Sequence, residues 1–320
     1  MAEGIFDGGR RDPSEAIIGV MSALPPAGRF APSPTGDLHL GNLRTAVLAW
    51  LFARFAGARF LVRMEDLDSG RVRPRAAERQ LADLAALGLD WDGTVEFQSE
   101  RTEVYESAVD RLRAADLVYE CFCTRAEIRE AVSAPHGLSP DGAYPGTCAR
   151  LSDEERARRS NAGRRAALRV RAGGTEIKFH DRIMGPRRGR VDDFVVRRND
   201  GAFSYNLAVV VDDAAQGIDE VVRGADLLDT TPRQLRLAGL LQLEAPRFAH
   251  VPLVLGPDGA RLAKRHGSVT LRDMAPELAL RWIASSLGLA RPGDETLDAR
   301  ALLERFEPQS LPLEPVTYGA

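Results

Sequence analysis

Arg29-Phe30-Ala31-Pro32-Ser33-Pro34-Thr35-Gly36-Asp37-Leu38-His39-Leu40-Gly41-Asn42 leaves a short apolar stretch, turns on two prolines and a glycine, and runs into an apolar helical pattern. Gly28 to Pro32 reads as a strand. Thr45 to Phe55 reads as a helix, because Val47, Leu48, Leu51, Phe52 and Phe55 recur at helical spacing on one face. Gly57 stops that helix, and Arg59 to Met64 makes the next strand, ending at Glu65-Asp66. This is a βαβ unit of a parallel sheet, with its polar residues at the carboxyl ends of strands, where such sheets bind ligands. Gly41 has no side chain, so a ligand's ring or phosphate can lie against the backbone there. His39 beside it can donate a hydrogen bond to a phosphate.

Far downstream, Arg261-Leu262-Ala263-Lys264-Arg265 places a lysine between arginines and among Gly256, Gly259 and Gly267, which suits a mobile phosphate clamp. A His-x-Gly pair near a helix start is more often structural than catalytic. A Lys-Arg pair in a glycine-rich loop is ordinarily solvated charge. The two stretches in this order on a βαβ background point together to nucleotide chemistry.

Other elements follow the same logic. Pro74 to Leu87 and Arg101 to Ala115 are amphipathic helices, and Val191 to Arg197 is a strand before the turn Asn199-Asp200-Gly201. Tyr205 to Val211 reads as an apolar return to the sheet. Thr231 to Leu243 is a helix, capped by Thr230 or Thr231, with Pro232 in its first turn. His250 to Leu255 leads into the lysine loop as a strand, and two or three short helices follow. From Tyr119 to about Arg198, glycine, proline, cysteine and arginine crowd in and the helical pattern breaks, which marks an insertion.

Apolar residues at 44% and charged residues at 28% are ordinary for a soluble globular chain, and a net charge of −3 argues against indiscriminate coating of nucleic acid. The charge is uneven, however. Cys148 to Arg198 holds fifteen Lys and Arg against seven Asp and Glu. That suits either docking onto one part of a polyanion or a solvated basic helix. No apolar run approaches the roughly 20 residues that span a bilayer. Arg10-Arg11 only faintly imitates an export signal, so a cytoplasmic location is expected, with either Met1 or Met21 as the start. Three cysteines make no disulfide framework. Cys121-Phe122-Cys123 with Cys148 suggests a structural Zn²⁺ site instead, its fourth ligand open between His136 and Tyr144.

Taken together, these stretches resemble the glutamyl branch of the class I aminoacyl-tRNA synthetases. The matching blocks run in family order from Arg29-Phe-Ala-Pro-Ser33 and His39-Leu-Gly-Asn42 through Glu65-Asp-Leu-Asp68, Cys121-Phe-Cys-Thr124 and Tyr144-Pro-Gly-Thr-Cys148. Tyr205-Asn-Leu-Ala-Val-Val-Val-Asp-Asp213, Val222-Arg-Gly-Ala-Asp226 and Arg261-Leu-Ala-Lys264 complete them. The resemblance implies an α/β fold with a Rossmann-type parallel sheet, an inserted zinc-bearing α+β subdomain and a short helical C-terminal segment. It implies that Arg29, Phe30, Ala31, Pro32, Ser33, Glu65, Tyr205 and Arg223 bind L-glutamate. It further implies that His39, Gly41, Asn42, Arg261 and Lys264 serve ATP, with Mg²⁺, and the chemical step. Tyr144 becomes the fourth zinc ligand beside Cys121, Cys123 and Cys148.

The expected order is an extension over 1–27, sheet halves over 28–118 and 199–260 around an insertion over 119–198, and the lysine loop and tail over 261–320. Only 56 residues follow Lys264, too few for the helical anticodon-reading domain of a full-length relative. The resemblance is therefore closer to the short paralogues that move glutamate onto queuosine in the anticodon loop of tRNA(Asp). A monomer is expected. Departures from the family pattern are Asn42 for a histidine, Arg261, Ala263 and Arg265 in the lysine loop, and a long Cys123–Tyr144 spacing. The signature departures imply slower or altered activation. Three other readings stay open: a truncated synthetase charging a terminal adenosine, a nucleotidylyltransferase sharing the signatures, and a tRNA-binding module without chemistry.

Overall fold

The computed structural model describes residues 24–128, 144–262, 269–294 and 297–319. Strand β1 (Ala27–Phe30) passes through the signature loop into helix α1 (Leu40–Phe55), and β2 (Arg59–Met64) returns parallel to β1. Helix α2 (Ala76–Ala86) leads to β3 (Glu96–Phe97), then α3 (Thr102–Ala114), β4 (Val118–Cys121) and α4 (Asp153–Asn161). Four strands follow: β5 (Ala167–Val170), β6 (Glu176–Asp181), β7 (Gly185–Arg190) and β8 (Val195–Arg197). After them come α5 (Tyr205–Gln216), β9 (Ile218–Gly224), α6 (Thr231–Leu240), β10 (Arg247–Val251) and β11 (Val254–Leu255). The tail holds α7 (Pro276–Ser286), α8 (Ala299–Glu304) and β12 (Val316–Thr317), and β12 pairs with β11.

The main sheet runs β3-β2-β1-β9-β10-β6-β7. Its first five strands are mutually parallel. The chain builds from β1 outward in one direction through β2 and β3, and in the other through β9 and β10. The carboxyl ends of β1 and β9 therefore flank a crevice at the point where the winding reverses, the usual ligand position in such sheets. Helix α1 is not the one-faced helix its pattern suggests. Residues 46 to 53 are all buried, because sheet and tail cover it from both sides. Phe55, read as part of the apolar face, is half exposed and packs edge-on against Phe306 of the tail. Arg44 is itself buried and ties α1 to the carbonyl of Pro252 at 2.7 Å and to Ser286 at 3.0 Å.

Two sequence expectations change. Tyr205 to Val211 is not a strand but the first half of α5. Ser204 caps that helix by accepting from the Leu207 amide at 3.3 Å, and Gly217 ends it with φ of 67°. A continuous apolar run without alternation is compatible with a buried strand or a buried helix, so periodicity alone cannot separate them. The span 119–198 is also not one body. Strands β4, β5 and β8 form their own antiparallel sheet, whereas the β6–β7 hairpin extends the main sheet through Asp181 opposite Phe248. Among the described residues, no helix is long and apolar enough to cross a membrane.

Candidate active site

A cavity of about 540 Å³ opens at the crevice between β1 and β9. Arg29, Phe30, Ala31, Pro32 and Ser33 line it from β1 and the loop after it, and Glu65 lines it from the end of β2. Tyr205 comes from the first turn of α5, Arg223 from β9, and His39, Gly41 and Asn42 from the start of α1. Arg261 also lines it, half exposed and paired with Asp226. Lys264 falls outside the described residues. The tertiary structure thus brings every other residue assigned to glutamate or ATP by the sequence into one enclosure.

The signature loop is held from two sides. The Glu65 amide donates to the Pro32 carbonyl at 2.9 Å, and the Gln80 side chain donates to the carbonyls of Ser33 at 3.1 Å and Gly36 at 2.7 Å. His39 is the N-cap of α1, and its Nδ1 accepts from the Asn42 amide at 3.2 Å. That bond satisfies one of the unpaired amides of the first turn and places the imidazole proton on Nε2. Gly41 lines the cavity and also serves a contact within the protein. A Cβ there would meet the His39 ring at 3.1 Å and Val254 at 3.4 Å, so the missing side chain clears room for the protein's own imidazole.

Charge in the cavity floor is arranged by a buried network. Arg29 and Arg63 converge on Asp213 at 3.3 and 2.7 Å. Asp212 next to it accepts from Gln98, Arg101 and Tyr105. Burial works against the Asp213 carboxylate, but Arg29 and Arg63 outweigh it and hold the group below the ordinary aspartate range. Glu65 is 3.8 Å from Arg63. Burial pushes its carboxyl up to about 7 against the pull of Arg63 and Arg29, and Asp213 and Asp212 add to the rise. It is therefore a carboxyl poised to ionise when a cation arrives.

Arg223 is anchored at all three of its nitrogens. Its Nε donates to His250 Nε2 at 2.9 Å and its Nη2 to Thr231 at 2.8 Å, while Nη1 donates to Gln234 at 2.8 Å. The contacts to the Tyr205 hydroxyl and the Leu227 carbonyl are longer, at 3.4 Å each. Tyr205 and Leu227 both line the cavity, so these are the bonds an incoming carboxylate can replace. A guanidinium so placed favours a carboxylate and disfavours an amide, whose NH₂ would face donors.

Sequence reading missed Arg63, Asp212, Asp213, Gln234 and His250 as supports of this site. Asp212 and Asp213 follow directly on the apolar run ending at Val211, and nothing local marks them as site residues. The sequence places the cap of α6 at Thr230 or Thr231. No side-chain capping bond is present at Thr230, and the Thr231 hydroxyl serves Arg223 instead.

Cys121, Cys123 and Cys148 also converge, their sulfurs within 4.8 Å of one another. The Tyr144 hydroxyl lies 3.3 Å from Cys121 Sγ and 3.6 Å from Cys123 Sγ, and it accepts from the Cys148 amide at 2.9 Å. Ligands bound at the usual zinc–sulfur length of about 2.3 Å stand roughly 3.8 Å apart in a tetrahedron, close to these separations. Three soft donors and one oxygen fit a closed site for such a cation. Burial first, then the crowding of neighbouring thiols, pushes Cys123 up to about 12, while Tyr144 is raised as well. His136 lies outside the described residues.

The family described as tRNA synthetases class I (E and Q), catalytic domain, matches residues 27–291. The chain is 61% identical over 295 residues to a Glutamyl-Q tRNA(Asp) synthetase of Nocardia farcinica, covering 90% of this chain and 92% of that one. It is 50% identical over 310 residues to the protein of the same name in Symbiobacterium thermophilum, covering 92% and 96%. A solved glutamate tRNA ligase from Elizabethkingia meningosepticum, in complex with its amino acid, superposes with a TM-score of 0.79 at 26% identity. The match covers 93% of this chain and 68% of that one.

Proposed function

Because this chain belongs to the class I (E and Q) family of tRNA synthetases, we propose that it activates L-glutamate with ATP and transfers it to queuosine in tRNA(Asp). The observation that carries this reading is that Arg223, Arg29 and Glu65 line the same cavity as His39. Two fixed cations and one ionisable carboxyl match an amino acid with two carboxylates and one ammonium. Glu65 receives the ammonium, and Arg223 with Tyr205 receives the side-chain carboxylate.

The α-carboxylate then attacks the α-phosphorus of ATP, forming the acyl–oxygen–phosphorus link as pyrophosphate leaves. No side-chain nucleophile is needed. Nε2–H of His39 and the side chain of Lys264 stabilise the charge that develops on the phosphate oxygens, and positioning carries the rest. ATP enters with Mg²⁺ as its counter-ion. A hydroxyl on the cyclopentene ring of queuosine next attacks the acyl carbon, and AMP leaves.

Arginines of the 119–198 span sort into two groups. Arg164, Arg169, Arg182 and Arg197 are held by Glu127, Cys121, Glu220 and Glu106. Arg187, Arg188 and Arg190 on β7 are exposed, and among the described residues none of them forms an ion pair. Their strand lies at the edge of the main sheet, where they suit an RNA backbone. Cys121, Cys123, Tyr144 and Cys148 would hold one structural Zn²⁺, which supplies a cross-link between β4 and the segment before α4.

Incubation with ATP, labelled glutamate and tRNA(Asp) with or without queuosine tests this. Label confined to the modified RNA that survives removal of the terminal adenosine is expected. Label lost with that adenosine would instead indicate ordinary charging, and absence of label would remove the reading.

A further inference from the structure

Behind Arg223, on the side away from the cavity, lies a buried relay that the chemistry above does not use. Nδ1 of His250 is 2.6 Å from Asp181 Oδ2, and both side chains are 0% exposed. Asp181 sits at the end of β6, His250 in β10, and Arg223 beside it in β9. The other Asp181 oxygen accepts from the amides of Ile183 at 3.0 Å and Met184 at 2.8 Å. Burial opposes the charge on Asp181, but these donors and His250 hold its carboxyl below the ordinary range. It is therefore an acceptor only, and His250 must carry its proton on Nδ1. Burial first, with the neighbouring guanidiniums of Arg223 and Arg29, also holds the imidazole below its usual range against the pull of Asp181. A neutral ring protonated at Nδ1 has a lone pair at Nε2. The Nε–H of Arg223, which can only donate, points at that lone pair.

We propose that Asp181 and His250 are positioning residues for glutamate selection, fixing through the imidazole tautomer the plane in which Arg223 meets the substrate's side-chain carboxylate. The inference rests on the function proposed above. Asp181 lies in the hairpin that also carries the exposed β7 arginines, so glutamate affinity depends on a segment that contributes nothing to the cavity wall.

Asp181→Asn tests this nearly isosterically. The amide can still accept from the backbone, but its NH₂ faces Nδ1 and drives the ring proton to Nε2, against the Arg223 donor. In glutamate-dependent ATP–pyrophosphate exchange, the glutamate KM should rise about tenfold or more, as expected for a lost charge-assisted bond, with the ATP KM within about twofold. Nitrogen NMR of the His250 ring should report Nδ1–H in the parent and Nε2–H in the variant. His250→Gln places a carbonyl acceptor near the Nε2 position and should restore most of the glutamate affinity that His250→Leu loses. This pair decides the matter even if Asp181→Asn does not fold. An active parent whose glutamate KM is unchanged in Asp181→Asn, or equal in His250→Gln and His250→Leu, overturns the positioning role. A parent with no glutamate-dependent exchange overturns the proposed function itself.

Discussion

Glu65 stands 3.8 Å from the Arg63 guanidinium, whose short bond goes instead to Asp213 at 2.7 Å. The better-paired carboxylate keeps its charge, and burial leaves Glu65 titrating at about 7. Glutamate's ammonium needs the ionised form, so the glutamate KM should rise as pH falls through 7 and level off above 8. Glu65→Gln should raise that KM above pH 7, with the difference shrinking as pH falls towards 6, and flatten the profile. A parent KM that does not change between pH 6 and 8 would remove Glu65 as the ammonium site.

The same shift has a consequence for stability. A carboxyl whose folded value lies above its unfolded value favours folding in its protonated form. That contribution is present below pH 4.5 and is lost as pH rises through about 7. Glu65→Gln should therefore be more stable than the parent at pH 8, by on the order of 1–3 kcal/mol, with the gain shrinking towards pH 5. Denaturant titrations at the two pH values measure it.

Gly41→Ala should leave the fold in place, since alanine is the better helix former. Its Cβ would press on the His39 ring at 3.1 Å. Turnover in pyrophosphate exchange should fall roughly 10-fold to 100-fold with little change in glutamate KM, the signature of a lost transition-state contact. Wild-type turnover would mean that the ring position is immaterial.

Lys264→Ala should abolish activation while circular dichroism and melting remain those of the parent. Arg223→Ala should raise the glutamate KM far more than the ATP KM, and Arg223→Lys should not restore it, because one nitrogen cannot reach the His250, Thr231 and Gln234 acceptors set around three and still keep a donor for substrate.

The purified chain should carry one zinc by elemental analysis. Cys148→Ser or chelation should lower stability by about 2–5 kcal/mol, since binding energy in such a site is folding energy. Parent chain free of metal and equally stable in chelator would leave the three thiols as packing alone.

Local chemistry determined much of this protein. The Gly28–Met64 βαβ pattern, the helix positions and the cysteine spacing are written in near-neighbour periodicity and in turn residues, which act over a few positions. Gly217 and Ser204, which frame α5, were equally local signals. An apolar run that is buried on every side gives no period to read, so its helix emerged only when the sheet was assembled around it. Arg29, Glu65, Tyr205 and Arg223 were legible because their blocks match one family, and not through any spacing among themselves. Their supports were beyond reach of the sequence. Asp213 meets Arg63 across 150 positions and Asp181 meets His250 across 69. An ordinary aspartate or histidine acquires its charge state and direction from partners that only the folded chain brings near, in an interior where water no longer screens them.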